Sequence, residues 1–196
     1  MNKSQPETLT PNYFEEVYRA NADPWNFETS EYERAKYAAT LAALPQTHYQ
    51  KAFEIGCSIG VLTKELAARC TKLLAIDVSD AALEKAQKRC AKLSQISFEK
   101  MQIPAEFPAA AFDLILVSEV GYYLAPEDWQ TATEKIAKHL ELNGNVVLVH
   151  WIPFVHDYPQ TGDEVHESFK RWTTGKLRHL TEKREENYRL DVFEKN

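Results

Sequence analysis

The chain lacks the features that mark fibrous, disordered, disulfide-built and membrane-spanning proteins. With 6 glycines and 9 prolines in 196 residues it has no low-complexity stretch and no internal repeat, which excludes collagen-like and linker-like chains. The 3 cysteines, Cys57, Cys70 and Cys90, are odd in number and stand outside CxxC or Cys/His spacing. That argues against a disulfide framework and a structural zinc site. No apolar run approaches the roughly 18 residues that a spanning helix needs, and the polar N-terminus holds no signal core. Basic residues are too few and too scattered to follow a phosphate backbone: 23 stand against 29 acidic ones, for a net charge of −6. These absences predict a cytoplasmic protein without nucleic acid, membrane or metal as partner. An amine or sugar substrate is easier to accommodate than a polyanion.

What is present is a globular composition, 44% hydrophobic and 27% charged, with length enough for one ordinary domain. After a loose polar arm over residues 1–11, Tyr13, Phe14, Val17 and Tyr18 recur at helical spacing, and that helix stops near Asp23-Pro24. A second helix is expected over residues 30–44, capped by Ser30, with Tyr37, Leu41 and Leu44 on one face and Pro45 behind it. Residues 1–45 thus read as an arm and helical collar, and residues 46–196 as the core.

From Lys51 short apolar runs alternate with helical stretches, the rhythm of βαβ units in a parallel sheet buried on both faces. Strands are expected over 52–55, 73–77, 96–100, 112–118 and 145–151. Helices are expected over 61–70, 81–92 and 129–140, with a left-handed turn at Asn143-Gly144 ending the last. A further helix over 163–173 precedes two β-like runs, 176–185 and 188–194, that flank Glu186-Asn187 as an antiparallel hairpin. The expected fold is α/β: a mostly parallel seven-stranded sheet with a C-terminal antiparallel hairpin and an N-terminal helical collar.

The most informative stretch, Phe53 to Gly60, is a strand that runs into a tight turn before a helix beginning near Val61. Small residues there let a ligand approach the backbone and leave N–H groups free at the helix start. About twenty residues on, Asp77 ends the second strand, where a carboxylate can accept hydrogen bonds from both hydroxyls of a ribose. Taken singly, a glycine turn also fits packing and a strand-end aspartate also fits a helix cap; in this order and spacing they point to a nucleoside-bearing cofactor. The loop lacks the G-x-G-x-x-G of dinucleotide sites, because Ser58 stands at the second glycine and Leu62-Thr63 follow Gly60. Gly56 to Gly60 also satisfies G-x-S-x-G, the nucleophile elbow of α/β-hydrolases, with His150 nominally available as a base. That reading leaves Asp77 and the collar without a role, and an elbow normally follows several strands, whereas one precedes this loop.

The pattern E-x-G-x-x-x-G resembles motif I of the class I methyltransferases, a Rossmann-like sandwich. Four segments resemble the nodulation S (NodS-like) family of that class. They are Asp23-Pro24-Trp25-Asn26-Phe27 with Tyr32 to Tyr37; Phe53 to Thr63; Ser118 to Leu124; and Val149-His150-Trp151 with His156 to His166. The resemblance implies S-adenosylmethionine as cofactor, with Glu54, Gly56, Ser58 and Gly60 along its methionine end, Asp77 on the ribose and Val78 flanking the adenine. It also implies Met101 and Gln102 at the adenine edge, and Ser118 and Glu119 facing the sulfonium. The activity implied is N-methylation of an amino sugar or chitooligosaccharide-like amine. O-methylation of a small molecule, or a sensor that binds S-adenosylmethionine without turnover, are the alternatives.

Methyl transfer from a sulfonium is an in-line displacement, so the enzyme mainly aligns the partners and excludes water. An amine must be neutral to attack, which makes Glu119, His150, Asp163 and His166 candidates to take its proton. Each has a plainer reading: Glu119 as a contact for the cofactor's amino group, His150 as a packed imidazole, Asp163 as a helix-start cap and His166 as a surface histidine on the same face. Tyr13, Trp25 and Arg34 in the collar are expected either to cover the cofactor, with Arg34 pairing its carboxylate, or to serve as scaffold. Tyr122 and Tyr123 fit stacking on a sugar or packing on the collar. Cys57 beside a helix start is either an acidified thiol or a buried filler.

Overall fold

In the computed structural model, which describes residues 6–196, the collar is α1 (Pro11–Ala20) and α2 (Glu31–Ala42). The core runs β1 (Ala52–Ile55), α3 (Val61–Leu66), β2 (Leu73–Asp77), α4 (Asp80–Arg89), β3 (Ile96–Lys100), β4 (Phe112–Ser118), α5 (Pro126–His139), β5 (Leu140–Trp151), α6 (Gly162–Trp172), β6 (Leu177–Arg184) and β7 (Tyr188–Lys195). The strands form one seven-stranded sheet in the order β3-β2-β1-β4-β5-β7-β6. The pairs from β3 through β5 are parallel, and β7 runs antiparallel to both β5 and β6. The expected sheet and hairpin are therefore present. Because β1 pairs with β2 on one side and β4 on the other, strand order reverses there and opens a crevice at their carboxyl ends.

Local chemistry sets the helix starts. Side-chain oxygens of Thr10, Ser30 and Ser79 accept from the backbone N–H three residues on, and Thr161 with Glu164 forms a reciprocal capping box. The largest differences from the sequence reading are that α3 stops at Leu66, α4 stops at Arg89, α5 starts at Pro126 and β5 starts at Leu140. α5 begins at Pro126, before the apolar rhythm sets in at Trp129, because Pro at its start and acidic Glu127 and Asp128 suit the first turn. It ends at His139, and Leu140 already pairs with Phe112; Asn143, at φ 60°, lies in an irregular stretch of β5 and does not terminate the helix.

Alternation along the buried strands feeds two cores. Ile115 and Val117 of β4 join Trp129 of α5 and Phe169 of α6 on one face, while Leu114 and Leu116 join Leu62 and Leu66 of α3 on the other. Trp129 is fully buried, and its indole N–H donates to the Val165 carbonyl at 3.0 Å. Trp129→Ala should therefore cost about 3–5 kcal/mol, read as a lower urea midpoint.

The first five residues of the polar arm lie outside the described part, but its end is not loose. The Leu9 N–H donates to the Tyr123 carbonyl at 2.9 Å, and the Thr8 hydroxyl accepts from the Ala125 N–H at 2.8 Å. α1 is fastened to α4 by Glu15, which accepts from the Ser79 hydroxyl at 2.7 Å and the Ala81 N–H at 3.2 Å. Among the described residues no helix is long and apolar enough to cross a membrane.

Candidate functional site

A cavity of about 400 Å³ lies at the carboxyl ends of β1, β2 and β4, lined on its other side by collar residues including Phe14, Tyr18, Trp25, Tyr32 and Lys36. Its first wall is the glycine loop. Gly56 has φ +83°, and a Cβ there would stand 2.2 Å from Val120 Cγ2, so no side chain fits. Asp77 at the end of β2 accepts from the Ser58 N–H at 2.9 Å and the Ser79 N–H at 3.0 Å. Burial pushes its carboxyl up, and those N–H groups restrain the shift. Glu54 is 1% exposed, burial raises its carboxyl to about 7, and its Oε2 has no hydrogen-bond partner among the described residues. Ser58, at φ 50°, stands where a glycine is common in such loops; its Oγ receives the buried Tyr18 hydroxyl at 2.5 Å, which ties the collar to the loop.

The second wall is built around a buried cation. Lys36 is 2% exposed; its Nζ lies 3.0 Å from Glu33 Oε1 and also pairs with Glu119 Oε1. Burial alone would lower the Lys36 pKa, but Glu119 and Glu33 together outweigh it and the net shift is upward. Glu119 has φ 58°, and its Oε2 accepts from the Tyr122 hydroxyl at 2.6 Å and the Trp151 N–H at 2.8 Å. Tyr122 stacks on Tyr158 with centroids 5.1 Å apart, and Tyr32 meets Trp151 edge-on at 6.0 Å.

Of the residues singled out in the sequence, Trp25, Glu54, Gly56, Ser58, Asp77, Val78, Met101, Ser118 and Glu119 line this cavity. Gly60, Gln102, Tyr13, Arg34, His150, Asp163 and His166 do not. Gly60 caps α3 at φ +78°, where a Cβ would meet Ala86 at 2.9 Å, so it serves the packing of α3 on α4. Gln102 has its backbone N–H held by Glu106 at 2.8 Å. Tyr13 is 40% exposed and rests edge-on against Phe14. Arg34 is exposed and pairs with Glu31, because α2 turns residues 33, 36, 37 and 40 inward and residue 34 outward. Asp163 sits in the first turn of α6 and pairs with Arg184. Among the residues missed were Tyr18, Tyr32, Glu33, Lys36, Tyr37 and Tyr158. The Glu33/Lys36 spacing beside the apolar Tyr37 was the signal for two of them.

His150 and His166 belong to a separate, fully buried relay. The Gly121 N–H donates to His150 Nε2 at 3.0 Å, so His150 must donate from Nδ1 to His166 Nε2, also at 3.0 Å. His166 Nδ1 in turn donates to Asp191, which Arg189 and His179 also hold. Burial, with His166 and Lys36 adding to it, holds His150 well below its usual pKa; burial also lowers His166, against the opposing pull of Asp191. At neutral pH both imidazoles are therefore neutral when folded, whereas unfolding returns them to about 6.5. The unfolded chain binds protons that the folded one refuses, so stability is full well above pH 6.5 and falls as the pH drops below it, with a slope that approaches roughly 1.4 kcal/mol per pH unit for His150 and a smaller contribution from His166. Urea midpoints at pH 7.5 and 5.5 check this, and a flat profile removes the neutral-imidazole assignment.

Comparison with known proteins follows the same line. The profile of the family Nodulation protein S (NodS) matches residues 14–150. Nodulation protein S of Bradyrhizobium diazoefficiens is 38% identical over 103 residues, 52% of this chain and 49% of that protein. Its counterpart in Rhizobium tropici is 32% identical over 128 residues, 64% of this chain and 54% of that protein. The chain thus spans about half the length of these curated relatives. Among solved structures, N-methyltransferase NodS from Bradyrhizobium japonicum WM9 in complex with S-adenosyl-L-homocysteine matches with a TM-score of 0.81 at 26% identity, over 95% of this chain and 99% of that one. With the family profile covering most of its length and this fold beneath it, the chain belongs to the nodulation protein S family.

Proposed function

We propose that this chain is an S-adenosylmethionine-dependent methyltransferase acting on the amine of an amino sugar or chitooligosaccharide-like acceptor. The observation that carries the reading is that Asp77 and Glu54 Oε2, a buried carboxylate oxygen with no hydrogen-bond partner among the described residues, flank in one cavity a turn that has no room for a side chain at Gly56. Such an oxygen is costly unless a cation or donor meets it, and an α-ammonium group fits that need. The NodS structure in complex with S-adenosyl-L-homocysteine supports S-adenosylmethionine as the cofactor.

Bound there, S-adenosylmethionine supplies a methyl group on a sulfonium. The chain's own residues do the rest. Asp77 accepts the ribose hydroxyls, Glu54 meets the ammonium, and Val78 and Met101 flank the adenine. Trp25 and Tyr18 of the collar exclude water. Glu119 holds the second wall in shape, with Lys36 on one oxygen and the Tyr122 hydroxyl and Trp151 N–H on the other. Tyr32, whose hydroxyl has no partner among the described residues, together with Tyr122, Tyr158 and Trp151 presents the flat faces and polar edges that a sugar ring needs. The 3 cysteines are buried free thiols, which suits a reaction in the reducing cytoplasm.

The test is incubation with methyl-labelled S-adenosylmethionine and two chitooligosaccharides, one bearing a single free amine and one fully acetylated. Label is expected on the first alone. Label on neither, from protein that binds S-adenosyl-L-homocysteine, removes the acceptor class; failure to bind S-adenosyl-L-homocysteine removes the enzyme assignment itself.

A further inference from the structure

The cavity holds a second unpartnered carboxylate oxygen. Glu33 is 8% exposed, lines the cavity from α2, and its Oε2 has no hydrogen-bond partner among the described residues. Its other oxygen is held by Lys36 at 3.0 Å. Lys36 also pairs with Glu119, whose second oxygen is filled by the Tyr122 hydroxyl and the Trp151 N–H. Two carboxylates thus share one ammonium, which leaves the cluster with one negative charge in excess and Glu33 Oε2 as its unfilled acceptor. The cluster joins Tyr122 and Trp151 in the second wall, whereas the Asp77 oxygens are turned to the glycine loop and Ser79.

From this geometry we infer that Glu33 Oε2 receives the ammonium of the acceptor and takes one proton from it, a role that rests on the amine reading given above. In the transfer one N–H bond breaks and one O–H bond forms, while the electron pair stays on nitrogen as the lone pair that attacks the methyl group. Glu33 becomes a neutral carboxylic acid, and Lys36 remains protonated against Glu119. The groups that face Glu33 are Tyr32, Lys36 and Tyr37 on α2 and Glu119 beyond β4. Burial raises the Glu33 carboxyl above the usual range and Lys36 only partly offsets it, which makes Glu33 a better proton acceptor than a surface glutamate.

The test is calorimetry on protein saturated with S-adenosyl-L-homocysteine, titrated with a glucosamine disaccharide and with its fully N-acetylated counterpart. Glu33→Gln should bind the amine about tenfold more weakly than the wild type, by loss of a charged hydrogen bond. Its affinities for S-adenosyl-L-homocysteine and for the acetylated sugar should not change. In turnover kcat should fall by about a hundredfold and the acid limb of its pH profile should vanish. Equal amine binding by both proteins, including none by either, overturns the inference, as does an unchanged kcat. A folded Glu33→Gln protein that loses S-adenosyl-L-homocysteine instead assigns Glu33 to the cofactor's ammonium and also overturns it. A wild type that does not bind S-adenosyl-L-homocysteine at all brings down the methyltransferase reading, and this inference with it. Should Glu33→Gln not fold, Glu33→Asp keeps the charge with a shorter reach: it should lose amine affinity alone, and amine binding equal to that of the wild type counts against the role.

Discussion

Asp77→Ala is expected to weaken S-adenosyl-L-homocysteine binding by at least about a hundredfold while the protein stays folded. Two charge-assisted hydrogen bonds to ribose hydroxyls are lost, each contributing about 1.5–3 kcal/mol, and 1.4 kcal/mol is a factor of ten. The variant also frees the Ser58 N–H, which Asp77 holds at 2.9 Å, so the loop loses its tie to the end of β2. Asp77→Asn separates the two effects. It keeps an oxygen for Ser58 but has no charge, so its loss of affinity should fall between those of the wild type and the alanine variant. Calorimetry with S-adenosyl-L-homocysteine measures both, and unchanged affinity in a folded Asp77→Ala protein takes Asp77 out of the binding site.

Lys36→Met is expected to be the most destabilising change in the second wall, at about 3–5 kcal/mol. The lysine is 2% exposed and is shared by Glu33 and Glu119, so its removal leaves a buried and a partly buried carboxylate facing each other without a counter-ion. Adding Glu119→Gln should recover part of the loss, because one of the stranded charges goes with it. The deficit should also narrow from pH 7 toward pH 5. Burial already raises the Glu33 pKa, and without Lys36 it rises further; an acid whose folded-state pKa exceeds its unfolded value gains stability as pH falls through the folded value. Urea midpoints at both pH values check this. A loss below about 1 kcal/mol, typical of an exposed pair, refutes the account.

Much of the fold was legible because its signals are local. The order of strands and helices follows from apolar rhythm and from the caps at Ser30, Ser79 and Thr161. The glycine loop and Asp77 were legible because strand, turn and spacing are adjacent in sequence, and a parallel β1/β2 pair brings their ends together. The start of α5 was missed where a proline and two acids, without apolar periodicity, form its first turn.

The amino-acid sequence by itself determined the sheet-and-helix plan, the family and the loop-plus-carboxylate pair, since each depends on residues within one βαβ unit or on a contiguous motif. Only tertiary packing decided that Lys36 and not Arg34 enters the cavity, that Tyr18 meets Ser58, and that His150 is held by His166, and His166 by Asp191, away from it. The reason is geometric. Neighbouring polar residues on one helix differ only in angular phase, and which phase faces inward is fixed by how the helix seats on a distant strand. Partners from β5, α6 and β7 likewise meet only through the register of the finished sheet, with His150 opposite Arg189 across the β5/β7 pair.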